Sequence, residues 1–116
     1  MSNALDLCLV DGEGQIVLSV PLYAQQHSEL INCAETVTGC PVVMRMSNYY
    51  RDACAAGEDL DALSEELGRI WKYVQGGAYK PKNMGFLPEF LGVIFVMRSL
   101  CGEATVQRLK FEARAS

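Results

Sequence analysis

The chain has 116 residues, half of them apolar, with 14 acids against 10 bases for a net charge of −4. That length fits one domain, residues 1–116, with enough apolar content for a core built without metal or disulfide staples. The acidic balance argues against nucleic acid as a partner, because phosphate binding needs a basic face. The charge is also unevenly divided: eleven acids and two bases precede Arg69, whereas eight bases and three acids follow from Arg69 onward.

Leu5, Leu7 and Leu9 alternate with Asp6 and Cys8, Asp11-Gly12-Glu13-Gly14 supplies a turn, and Ile16, Leu18 and Val20 alternate again. This predicts a hairpin with one face for a core. The turn is no phosphate loop, since it lacks a lysine and a following helix and carries two acids. Pro21 is expected to open a helical stretch in which Leu30, Ile31, Ala34 and Val37 recur at helical spacing until Gly39 stops it. Cys40 to Met46 reads as a short apolar connector or strand, and Ser47 to Gly57 as a loop or broken helical turn.

Glu58 or Asp59 caps the next helix, whose Leu60, Leu63, Leu67, Ile70, Trp71 and Val74 form a stripe. Acids crowd its first turns while Arg69 and Lys72 lie near its end, which matches the helix dipole. A loop follows from Gln75 to Gly85. Pro88 suits the first turn of a last helix with a broad stripe of Leu87, Phe90, Leu91, Ile94, Met97, Leu100 and Cys101. Val93, Phe95 and Val96 are apolar as well, so this helix is expected to be the most buried element. Leu109, Phe111 and Ala113 alternate with charged residues as a closing strand that pairs with the hairpin. The predicted class is α+β: a small antiparallel sheet, the N-terminal hairpin plus the C-terminal strand, packed against about three helices.

Five cysteines, without a CxxC pair, and a single histidine, His27, point to neither a zinc site nor a disulfide framework, and no cofactor is expected. Reduced thiols acting as small core groups imply a cytoplasmic location. No basic leader followed by an apolar core opens the chain, so no signal peptide is expected. The longest apolar run, Leu91 to Met97, is far short of the roughly 20 residues of a spanning helix, so no membrane association is expected.

Among candidate site residues, His27 could serve acid–base chemistry only if folding brought a nucleophile or second acid beside it; a structural or solvated role is favoured. Asp61 and Glu65, four apart, share a helix face and could hold a divalent cation, but the flank reads more simply as solvated. Cys33 and Cys40 are separated by Gly39, and a reactive thiol would need a basic neighbour. Tyr49-Tyr50-Arg51-Asp52 combines residue types favoured at binding hot spots, and core packing by one tyrosine fits as well as surface display of both; if both are displayed, the acids beyond them would speed the approach of a basic protein.

The order of hairpin, Pro21-Leu22 with His27 and Leu30, Tyr49-Tyr50-Arg51-Asp52-Ala53, a Leu-rich acidic helix, then Phe90, Leu91, Leu100-Cys101 and a last strand resembles a group of small bacterial proteins. In size and acidity the chain is also similar to immunity proteins that neutralise polymorphic toxins. That resemblance implies a non-catalytic inhibitor of a basic toxin and carries over no functional residue. The roles follow instead from charge, since an acidic helix can occupy a basic nuclease cleft: on this hypothesis Tyr49, Tyr50 and Asp52 anchor while Asp59, Asp61, Glu65 and Glu66 line the cleft. Two other classes fit the residues: a small-molecule-binding protein or enzyme with a pocket between the sheet and the Pro88–Cys101 helix, or a structural homo-oligomer subunit joined through an exposed apolar helix face.

Overall fold

A computed structural model describes residues 3–48, 51–79 and 87–115. It shows an α+β fold in which four antiparallel strands, β1 (Asn3–Val10), β2 (Ile16–Tyr23), β3 (Ala53–Ala55) and β4 (Lys110–Ala115), form one sheet in the order β2-β1-β4-β3. The helices are α1 (Ala24–Val37), α2 (Pro41–Met44), α3 (Glu58–Gln75) and α4 (Leu87–Gln107).

The alternation of β1 decides which face is covered. Leu5, Leu7 and Leu9 pair with Leu22, Val20 and Leu18 on one side and with Ala115, Ala113 and Phe111 on the other, so one sheet face is apolar across three strands. Leu5, Leu7, Leu9, Leu22, Phe111 and Ala113 are buried there with Leu30, Leu63, Leu67, Ile70, Phe90, Ile94 and Met97 of the helices. The opposite face carries Asp6, Ser19, Glu112 and Arg114, with Cys8 buried between Ser19 and Glu112. The hairpin turn is set by Asp11, whose carboxylate accepts the N–H groups of Glu13 and Gln15 at 2.9 Å each.

The structure corrects five expectations. Neither Glu58 nor Asp59 caps α3: Gly57 is its N-cap, without a side-chain cap bond, and both acids lie in the first helical turn. Pro21 does not open α1; it sits within β2, opposite Asp6, and the helix starts at Ala24. A proline is tolerated on an edge strand when its missing N–H faces away from the neighbour. Cys40–Met46 is neither connector nor strand: Pro41–Met44 forms a single helical turn, because Glu66 reaches across to receive the Val42 and Val43 N–H groups. The segment following the tyrosine pair contains β3, which pairs with β4. Lastly, α4 is not buried all round. Phe90, Ile94, Met97, Leu100, Cys101 and Ala104 face the core, but Phe95, Val96 and Val106 are exposed.

Candidate functional site

The acidic flank expected on α3 does not assemble as one surface. Glu66 is only 3% exposed; its two carboxylate oxygens accept the N–H of Val42 at 3.3 Å and of Val43 at 2.9 Å. It is a cap for α2, and its assignment to the partner-binding face is corrected on that ground. Asp59 accepts a 2.8 Å bond from the Arg45 guanidinium, which also reaches the Cys54 carbonyl at 3.3 Å. Asp52 accepts the backbone N–H of Ala115 at 2.8 Å and so fastens the end of β4. Asp61 and Glu65 are exposed on α3, with Glu58 exposed one turn earlier. Tyr49 and Tyr50 lie outside the described residues.

Most groups with potential chemistry are drawn into the fold: of the five thiols, expected as core groups, only Cys54 is exposed. His27 is buried, and its Nε2 donates to the Met46 carbonyl at 2.5 Å, holding α1 against the end of α2. Burial pushes the Cys33 thiol up to about 12, with the nearby Glu29 carboxylate adding to the effect. Burial also pushes the Cys101 thiol up to about 11, opposed by the Arg98 guanidinium. At neutral pH both are protonated, and a protonated thiol is a poor nucleophile. The Tyr79 hydroxyl donates to Glu29 at 2.5 Å, its ring packs on Tyr73 and Phe90, and burial followed by the Glu29 bond raises its pKa. Among the described residues no cluster of three or more His, Cys, Asp or Glu side chains could hold a metal ion. No described helix is long and apolar enough to cross a membrane.

A groove of about 360 Å³ does lie between the sheet and α4. Leu7, Val20, Val93 and Val96 form its apolar walls, and Tyr23, Gln26 and Glu89 supply polar atoms at one end. His27 and the thiols are not among its lining residues. Its carboxylate, Glu89, accepts from the Gln26 side-chain Nε2 at 2.9 Å, while the Gln26 side-chain Oε1 accepts the Tyr23 N–H at 3.1 Å. A second groove, about 520 Å³, runs between the start of α3 and the end of α4. Charges of both signs line it: Glu58 and Asp61 face Arg108 and Lys110 across it.

The feature that sequence reasoning missed is the outer face of α4. Gly92, Phe95, Ser99, Gly102 and Val106 recur at alternating spacings of three and four and are all exposed, with no charged side chain among them. Phe95 is 62% and Val106 80% exposed, and a Cβ added at Gly92 or Gly102 would meet nothing within 4 Å. Spacing of this kind is the seam by which one helix packs on another, and small residues permit close approach. The signal was present in the sequence: the apolar residues of α4 are not confined to one stripe, and a two-layer fold can cover only one side of an outer helix.

No protein-family model matches the chain, and no curated protein or solved structure shows significant similarity to it.

Proposed function

We propose that this chain is a non-catalytic protein-binding domain of the cytoplasm whose contact surface is the uncharged outer face of α4. One observation carries this reading: a 21-residue helix displays Phe95 and Val106 to solvent on a seam that also holds Gly92, Ser99 and Gly102. Large apolar side chains grouped at helix-packing spacing mark interaction sites. The partner with matching chemistry is an amphipathic helix that lays its apolar stripe along α4.

Inhibition of a basic toxin through an acidic face draws less support, because Glu66 is buried and the charge of Asp59 is offset by Arg45. A second reading, a small apolar ligand, is favoured by the volume of the groove between β2 and α4, which is within the usual range for ligand sites.

Affinity capture from lysate of the source organism decides between the two protein-binding surfaces. A partner retained at high salt, lost with Phe95→Lys and kept with the paired change Asp61→Asn and Glu65→Gln supports the apolar seam. A partner released by salt and by the neutralised acids, but indifferent to Phe95→Lys, overturns it in favour of the acidic face.

A further inference from the structure

The two edges of the sheet are guarded very differently. β3 is three residues long, its Cys54 carbonyl is taken by Arg45, and exposed Arg51 and Asp52 stand at its start. Short edges with nearby charges resist further pairing. β2, at the other edge, is eight residues long and has no charged side chain. Ile16, Val17 and Leu18 are 50%, 54% and 44% exposed.

Pro21 establishes which backbone groups of β2 point outward. It has no N–H, and it fits a strand at a position whose N–H would face away from β1. The two-residue period gives Ser19 the same orientation, so its N–H and C=O point from the edge into solvent. Leu18, Val20 and Leu22, opposite Leu9, Leu7 and Leu5, turn their side chains to the helix side.

We propose that β2 pairs antiparallel with β2 of a second copy of this chain, Ser19 facing Ser19 across a two-fold axis, so that two four-stranded sheets become one of eight strands. This goes beyond the protein-binding reading above, which concerns the outer face of α4, and uses a different surface. Three features select a second copy. The first is charge: Ile16 to Val20 carry none, so two chains of net charge −4 meet where neither has an acid, with Asp61 and Glu65 on α3.

The second is register. With Ser19 on the axis, its N–H and C=O are satisfied by the same groups of the other copy, and Leu18 of each copy lies opposite Val20 of the other on the helix side. Val17 lies opposite Pro21, where the missing N–H ends the ladder. Such self-complementarity is what a two-fold interface requires. The third is area: Ile16, Val17, Leu18 and Val96 expose on the order of 350 Å² per copy. The strand backbone, Val20 and Val93 add to this, approaching the ~600 Å² per partner at the lower bound of stable interfaces.

Sedimentation equilibrium on the full chain, over concentrations that bracket a dissociation constant of about 10 μM, is the test. The wild-type mass is expected to rise toward twice 12.8 kDa. Ser19→Lys sets two ammonium groups side by side on the axis and is expected to weaken the dimer at least ~10-fold, with partial recovery at about 1 M salt. Ser19→Ala and Phe95→Lys are expected to leave the mass doubled. Val17→Lys, at a well-exposed position, is the second variant should Ser19→Lys fail to fold as judged by circular dichroism, and it too is expected to lower the mass.

A wild-type mass of 12.8 kDa throughout, or a folded Ser19→Lys that still dimerises, overturns the proposal. A dimer lost with Phe95→Lys alone moves the contact to α4 and likewise overturns it. A monomeric wild type that captures a partner in a Phe95-dependent way removes self-pairing while the protein-binding reading stands.

Discussion

Glu66 offers the sharpest contrast between a surface acid and a structural one. It is 3% exposed, and its carboxylate is the acceptor for the Val42 and Val43 N–H groups, 3.3 and 2.9 Å away, at the start of α2. Glu66→Ala leaves two buried donors without an acceptor, at about 1–3 kcal/mol each, and opens a small cavity besides. A loss of roughly 3–5 kcal/mol is expected, a large share of the stability of a domain this size. Glu66→Gln keeps one acceptor and turns an amide N–H toward the other donor. Removal of the buried charge offsets part of that loss, leaving about 1–2 kcal/mol, or a fall in melting temperature of some 4–8 °C. Urea denaturation of wild type and both variants, with circular dichroism as the readout, measures these differences. If Glu66→Ala changed stability by less than about 0.5 kcal/mol, as an exposed helix acid does, the cap reading of Glu66 would be wrong.

His27→Ala removes the buried donor to the Met46 carbonyl and is expected to cost about 2–4 kcal/mol from the lost bond and cavity together, read by the same denaturation assay. Phe90 is fully buried and Phe95 is 62% exposed on the same helix; Phe90→Ala is expected to cost roughly 3–5 kcal/mol and Phe95→Ala less than about 1 in the isolated chain. Melting temperatures that fall equally would contradict the placement of α4. Alkaline pH should destabilise the protein. Cys33 and Cys101, ordinarily near 9.0, are pushed up to about 12 and about 11, so above pH 9 the unfolded chain releases thiol protons that the folded one retains. The thiols' contribution is therefore constant below that point and falls above it by about 1.4 kcal/mol per pH unit for each thiol, until about 11 for Cys101 and about 12 for Cys33. A urea midpoint unchanged between pH 8 and pH 11 would refute the buried, protonated thiols.

Much of the fold was legible because it rests on local periodicity. The alternations around Leu7 and Leu18 and the stripes of α1 and α3 all appear where the spacing placed them. What escaped was set by contacts distant in sequence. Val42 and Val43, both β-branched, form a helical turn whose N–H groups Glu66 caps from 24 and 23 residues away. β3 is too short for a period to show, and it forms because β4 offers an edge. Pro21 has two consistent readings, the first turn of a helix or an edge strand, and only the sheet order distinguishes them.

The site was less legible than the fold. Helical spacing alone sets Glu66 beside Leu63 and Ile70, on the opposite flank from Asp61 and Glu65, so its burial could have been read from the pattern. The run of acids drew attention to charge and away from that geometry. In the same way, the apolar residues of α4 suggested depth in the core, although a helix packed on one face of a sheet leaves its far side to solvent. Phe95, Val96 and Val106 are on the sides of α4 that the core does not reach.

The most direct test of the α4 contact surface is photo-crosslinking in cells of the source organism, with a benzophenone side chain replacing Phe95 in one sample and Asp61 in another. Discrete protein adducts from position 95, with none from position 61, are the expected result. Adducts from position 61 alone would contradict the assignment of the contact surface to α4.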